Sequence, residues 1–195
     1  EFRRVLFRSD GSVTGIYLAD RVMELVLGGY AVAVSTAILP LLSRQAAERR
    51  IEDLKSSINF AMRIVLFITV PASIGLVLLR RQIIEVLFQH GDFTASSTEI
   101  TAWSLLYFSL GLSAFSIVKV AVQAFYALED TRTPLFAAGV AVVINLIFNV
   151  LLIRPLGSGG PPLATSIAAY CNCVILLAVF QRRYGRFGIS SILFS

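Results

Sequence analysis

Five stretches of this chain, at about 13–43, 59–79, 100–128, 134–153 and 163–181, are almost free of charge. Each is close to or above the ~20 residues needed to cross ~30 Å of hydrocarbon. No other feature constrains the fold as strongly. In lipid every backbone amide must be satisfied within the chain, which a helix does by itself. The fold class expected is therefore an all-α membrane protein with five transmembrane helices. Composition agrees: 56% of the residues are hydrophobic and 15% charged, against roughly 25% charged in soluble domains. The net charge of +5 does not point to nucleic acid, because the basic residues sit between the apolar runs and not along one soluble face.

The first run has its charge-free core at Leu25–Leu42, with Asp20, Arg21 and Glu24 just before it and Pro40 near its end. Arg44–Ser57 alternates basic and acidic residues and reads as a short surface helix. The second run carries Pro71 in its middle, which a membrane helix tolerates when neighbours satisfy the freed carbonyl. Ile83–Phe88 is too short to span and reads as an interfacial helix before a turn at Gly91-Asp92. Lys119 and Gln123 interrupt the third run. Thr133-Pro134 predicts a helix start, with threonine as N-cap and proline at the first helical position. Ser158–Pro162 is a glycine- and proline-rich turn before the fifth run. Residues 1–10 read as a non-native or unstructured leader, with a native juxtamembrane segment as the competing view, and residues 187–195 as a truncated tail.

Lysine and arginine counts in short loops predict orientation. One side, here the first side, holds Arg44, Arg49, Arg50, Lys55, Arg63, Arg132, Arg182, Arg183 and Arg186. The second side holds Arg80, Arg81 and Arg154. Nine against three makes the first side, and the carboxy end with it, cytoplasmic.

No enzyme site can be assembled. His90 is the single histidine and reads as a solvated loop residue, and no nucleophile, P-loop or zinc-protease motif occurs. Cys171 and Cys173 have one residue between them, which is not metal or redox spacing, and read as packing residues. No cofactor or metal is expected. What stands out is charge at membrane depth, since an arginine at the bilayer centre costs ~2.5–3.5 kcal/mol on insertion scales. Asp20 and Glu24 share a helix face, with Arg21 one step around. Two readings stay open: a guanidinium held between carboxylates and aimed at a wet cavity, or an interfacial cluster reaching water. Lys119 likewise either snorkels or serves a cavity. Asn145, Asn149 and Asn172 are expected to bond neighbouring helices, and Gly28, Gly29, Gly75, Gly111 and Gly139 to permit close helix contacts.

Several segments resemble one family. Tyr17–Glu24 looks like Y-x-A-D-R-x-M-E of the MurJ (MviN) family, within the multidrug/oligosaccharidyl-lipid/polysaccharide exporter superfamily. Ser35–Arg44 resembles its S-T-x-x-L-P-x-L-S-R, Leu87–Phe93 its L-F-x-x-G-x-F, and Phe125–Pro134 its F-Y-A-x-x-D-T-R-T-P. Ala164-Thr165-Ser166 completes the order, over about Gly11 to Arg186. Pro161-Pro162 departs from the pattern and puts the start of the fifth span in doubt. The resemblance implies a two-lobe exporter of which this chain supplies most of the carboxy-terminal lobe, the amino-terminal lobe being its missing partner. It implies a flippase for lipid II, the undecaprenyl-diphosphate-linked peptidoglycan precursor, in the bacterial cytoplasmic membrane. Arg21 matches a cavity arginine thought to hold the diphosphate, with Asp20 and Glu24 in adjacent acidic positions. The alternatives are a related drug or polysaccharide-lipid exporter, and a non-transporting membrane scaffold.

Overall fold

The structure is a computed structural model that describes residues 12–89 and 93–185. The expected leader, the tail, His90 and the turn at Gly91-Asp92 lie outside the described residues. The described chain is helical nearly throughout: α1 (Ser12–Val26), a π-helical stretch (Leu27–Val32), α2 (Ala33–Ala47), α3 (Ile51–Phe88), α4 (Ala95–Ala127), α5 (Arg132–Leu156), a 3-10 turn (Gly157–Gly159) and α6 (Gly160–Tyr184).

Among the described residues, four helical stretches are long and apolar enough to cross a membrane: Val13–Ala47, Ile51–Phe88, Ala95–Ala127 and Arg132–Tyr184. The last is folded at Gly157, whose φ of 55° combined with a ψ of −124° is a conformation suited to glycine. Its two legs, α5 and α6, are 25 residues each, about 37 Å long at 1.5 Å per residue, and they pack on each other. The described residues therefore make five passes. Gly160 packs so closely that a β-carbon there would lie 2.8 Å from the Leu152 backbone. Pro161 and Pro162 fall in the first turn of α6, where their missing amide protons cost nothing, so they start the fifth span without displacing it.

α4 is the hub, packing against α1, α2, α3 and α6. Its buried positions are rich in small and hydroxyl residues, among them Ser109, Gly111, Ala114, Ser116 and Ala121. Small side chains let backbones approach in lipid, where apolar burial gives no drive. The hydroxyls of Ser109 and Ser116 donate back to the carbonyls of Leu105 and Leu112, at 2.6 and 2.7 Å. Across to α6, Ser166 Oγ donates to the Tyr107 carbonyl at 2.7 Å and the Tyr170 hydroxyl to that of Leu110 at 2.8 Å.

Several local expectations need correction. Arg44–Ser57 is not a separate surface helix. α2 ends at Ala47, Arg49 turns the chain with a φ of 57°, and α3 begins at Ile51. Leu54 and Ile58 are fully buried, so the polar-looking turn is already in register with the span. Ile83–Phe88 likewise continues α3, because no breaker follows Leu79, Ile84 packs in the core and Arg81 pairs with Glu85 at 2.8 Å. Of the glycines expected at helix contacts, only Gly111 is at one: a β-carbon there would meet Ser166 Oγ at 2.5 Å. Gly28, Gly29, Gly75 and Gly139 have no such neighbour, whereas Gly15 abuts Thr101 and Gly159 abuts Tyr107. The amides divide as well. Asn145 Nδ2 donates to Thr165 Oγ1 on α6 at 3.1 Å, while Asn149 Nδ2 donates within its own helix, to Asn145 Oδ1 at 2.8 Å. The Asn172 carbonyl is buried without a hydrogen-bond partner among the described residues.

Thr133 is not an N-cap. α5 starts at Arg132, and it is Asp130 that caps it, accepting from the Thr133 amide at 3.0 Å and the Thr133 hydroxyl at 2.6 Å. Arg183, at the end of α6, donates to the same carboxylate. This tie, with Gln45 Nε2 donating to Ser57 Oγ at 3.0 Å, gathers the loops of the first side at one end of the bundle. The Thr133 hydroxyl holds the Asp130 carboxyl below the usual range. Partial burial works against it, and the Thr133 amide and Arg183 reinforce it. A carboxyl depressed in the folded state contributes stability that is fully present above its unfolded pKa and lost as pH falls through the folded one. Asp130→Ala should therefore cost about 1–2 kcal/mol, the worth of a helix cap, seen as a lower Tm of the purified protein at neutral pH. The difference from wild type should shrink once the pH falls below the ordinary carboxylate value of about 4. A difference that grows on acidification would contradict the cap.

Candidate functional site

The first helix meets α4 through one stripe. Ala19, Met23, Leu27 and Ala31 recur every four residues and are buried. Gly15 continues the stripe against Thr101. Arg21 is about 200° around the helix from Ala19 and 160° from Met23 at 100° per residue, so it stands on the opposite, uncovered face. Its side chain is 55% exposed and that of Glu24 is 51% exposed.

Two residues fix the guanidinium there. Arg21 Nη1 donates to Glu24 Oε2 at 2.6 Å, and Arg21 Cζ lies 4.7 Å from the centre of the Tyr17 ring. These are the i+3 and i−4 neighbours that a helix brings together. The expectation that Asp20 also clasps Arg21 is not met. Asp20 is the adjacent residue, points about 100° away, is partly buried and makes no ion pair with Arg21. Tyr17 takes the place expected of Asp20, and its spacing from Arg21 was the available signal. A pair this exposed adds little stability. What it supplies is aim: the salt bridge occupies one edge of the guanidinium and Tyr17 lies against it.

Lys119 is exposed on α4, with no carboxylate partner among the described residues. It does not share a site with Arg21. α1 and α4 run in the same direction with Gly15 beside Thr101, so Arg21 is level with about residue 107. Lys119 is twelve residues further on, roughly 18 Å along the axis. A groove of about 500 Å³ opens between α2 and α3, lined by Val34, Ile38, Leu41, Phe60 and Ile64 among others. It is apolar and includes neither cation. Among the described residues, no group of three or more histidine, cysteine or acidic side chains is placed to hold a metal.

The family model described as "Lipid II flippase MurJ" matches residues 6–195. The chain belongs to the MurJ family. Relatives agree in length and degree: it is 35% identical over 170 residues to a probable lipid II flippase MurJ of Vibrio cholerae, covering 87% of this chain and 32% of that protein. It is 36% identical over 174 residues to that of Rhizobium tropici, covering 89% and 33%. A solved structure titled "Lipid II flippase MurJ, inward closed conformation" is similar with a TM-score of 0.85 and 32% identity, over 97% of this chain and 39% of that one. The chain thus spans about a third of the length of the curated MurJ relatives it matches. With MurJ as the reference, the five passes are a partial lobe of the exporter fold in a multi-pass membrane protein.

Proposed function

We propose that this chain is part of a lipid II flippase, which moves the undecaprenyl-diphosphate-linked peptidoglycan precursor outward across the bacterial cytoplasmic membrane by alternating access. The observation that carries this reading is the Arg21 guanidinium, oriented by Glu24 and Tyr17 on a face of α1 that is left exposed among the described residues. A lipid diphosphate has to bring its charge through a low-dielectric slab. A hydrated groove with a guanidinium offers it charge-assisted, bidentate hydrogen bonds while the polyprenyl tail stays in the bilayer. The amino-terminal lobe would close the other wall, and rocking of one lobe against the other would expose the groove to each side in turn. The first side, with nine basic residues against three, is cytoplasmic on this reading, and so is the carboxy end of the chain.

The test is genetic. In cells depleted of their own lipid II flippase, the full-length gene product should restore growth and bring lipid II to the outer leaflet. The reading is wrong if the protein reaches the membrane at normal abundance while lipid II accumulates on the inner side.

A further inference from the structure

One stripe runs the length of α4 at alternating steps of four and three residues: Thr101, Leu105, Phe108, Leu112, Phe115, Lys119, Val122 and Tyr126. Positions so spaced share a helix face. The upper four are at most 5% exposed, and Gly15 of α1 packs on Thr101 at the top. Below Leu112 the cover thins. Phe115 and Val122 are only partly buried, Lys119 is exposed, and Tyr126 is 47% exposed. The face that is buried near the second side is therefore exposed near the first.

Lys119 stands at the inner end of that opening, eight residues or about 12 Å from the end of α4 at Ala127. Arg132 and Arg182 are exposed on the first side, beyond the end of α4, where Arg183 is already paired with Asp130. Arg44, Arg50, Lys55, Arg81 and Arg183 each have a carboxylate partner. Lys119 is cationic, set deep in an apolar stretch, and has none among the described residues.

We infer that Lys119 is a separate receiving point for the phosphorylated headgroup of a polyprenyl diphosphate, on the first side and distinct from the Arg21 position. The inference rests on the flippase reading and divides its path into two stations, one near each side. Two cations roughly 18 Å apart cannot grip one diphosphate at once, so an anion travelling this route meets them in turn. A lysine suits the earlier station: a mobile point charge on a long stem captures without demanding one geometry, whereas the restrained guanidinium of Arg21 is geometrically selective.

Binding of farnesyl diphosphate to the purified full-length protein tests this, with farnesol and inorganic pyrophosphate as the comparison arms. Lys119→Gln should weaken farnesyl diphosphate binding about tenfold, the effect of losing one charge-assisted hydrogen bond. Farnesol binding should be unchanged and Lys119→Arg should restore most of the affinity. Lys119→Gln binding farnesyl diphosphate as tightly as wild type, with wild type binding well, would overturn the Lys119 station and leave the flippase reading intact. Equal, Lys119-dependent binding of pyrophosphate would show a free-anion site and overturn the lipid assignment. A wild-type protein that binds no farnesyl diphosphate would count against the flippase reading itself. Farnesol binding that falls in parallel would show that Lys119→Gln had disturbed the fold, and that Lys119 is structural.

Discussion

Arg21→Glu in the full-length protein should abolish growth of cells that depend on it as their sole flippase, at unchanged abundance in the membrane. The substitution does more than remove a donor. It places a carboxylate beside Glu24, which now accepts from Arg21 at 2.6 Å, and turns an attractive wall of the groove into one that repels a diphosphate. Loss of one hydrogen bond to a charged group is worth about 1.5–3 kcal/mol, and a bidentate grip involves two. Arg21→Ala should therefore reduce transport by two or more orders of magnitude, on the scale of roughly tenfold per 1.4 kcal/mol. Arg21→Lys keeps the charge but not the planar fork and should retain partial function. Tyr17→Phe keeps the ring beside the guanidinium but loses the hydroxyl that also engages it and should fall between wild type and Tyr17→Ala, which removes in addition a cation–π contact worth about 0.5–1 kcal/mol at an exposed site. Growth supported by Arg21→Glu would remove this residue from the transport path.

The largest effect on stability is expected at Gly111. Valine there sets a β-carbon 2.5 Å from Ser166 Oγ and 2.9 Å from both Ser166 Cβ and the Phe115 ring. Ser166 cannot easily step aside, because its hydroxyl is engaged with the Tyr107 carbonyl at 2.7 Å. Overpacking of this kind costs about 1–3 kcal/mol and more where the neighbours are fixed, and it would force apart the two helices on which the α4–α6 contact depends. Gly111→Val should melt several degrees below wild type in detergent, at about 2–4 °C per kcal/mol for a chain of this size. Gly139→Val, with nothing within 4 Å of its β-carbon, is the matched reference and should melt near wild type. Shortening the opposing residue gives a sharper check: Ser166→Gly should rescue part of the Gly111→Ala defect, and additivity of the two would show that they do not touch. Gly111→Val and Gly139→Val melting together would contradict the close approach.

These residues also show what could be read from sequence and why. The five passes were legible because hydropathy reports the solvent, and a helix in lipid must announce itself over some twenty residues. Their ends were less so. Ile51–Ser57 looks polar, yet Leu54 and Ile58 recur at helical spacing and are fully buried, so α3 begins well before the apolar run does. The helix start at Thr133-Pro134 was placed nearly correctly for the wrong reason: an aspartate three residues before an amide caps as well as a threonine, and the partner of Asp130 on α6, Arg183, lies 53 residues away. Gly111 and Gly139 are indistinguishable in sequence, since what separates them is the helix opposite. Arg21 was found as a charge where charge is costly, but Tyr17 was passed over, although the spacing of four held the signal. The stripe from Thr101 to Tyr126 was also present in the sequence. What it lacked was the point at which its cover stops.

The wide turn at Leu27–Val32 has a mechanical meaning. A π turn stores one residue more than the helix around it needs, much as a dislocation stores an extra row in a crystal. Leu27 and Ala31 hold the stretch on its buried side, while Gly28 and Gly29, where an added β-carbon would meet nothing within 4 Å, leave its other side unhindered. If it were drawn out into regular α geometry, everything on the amino-terminal side would swivel by about 100° and shift by about 1.5 Å relative to α2. Tyr17, Arg21 and Glu24 would turn as a block, carrying the positive charge from the open face toward a neighbouring helix without breaking the pair that aims it.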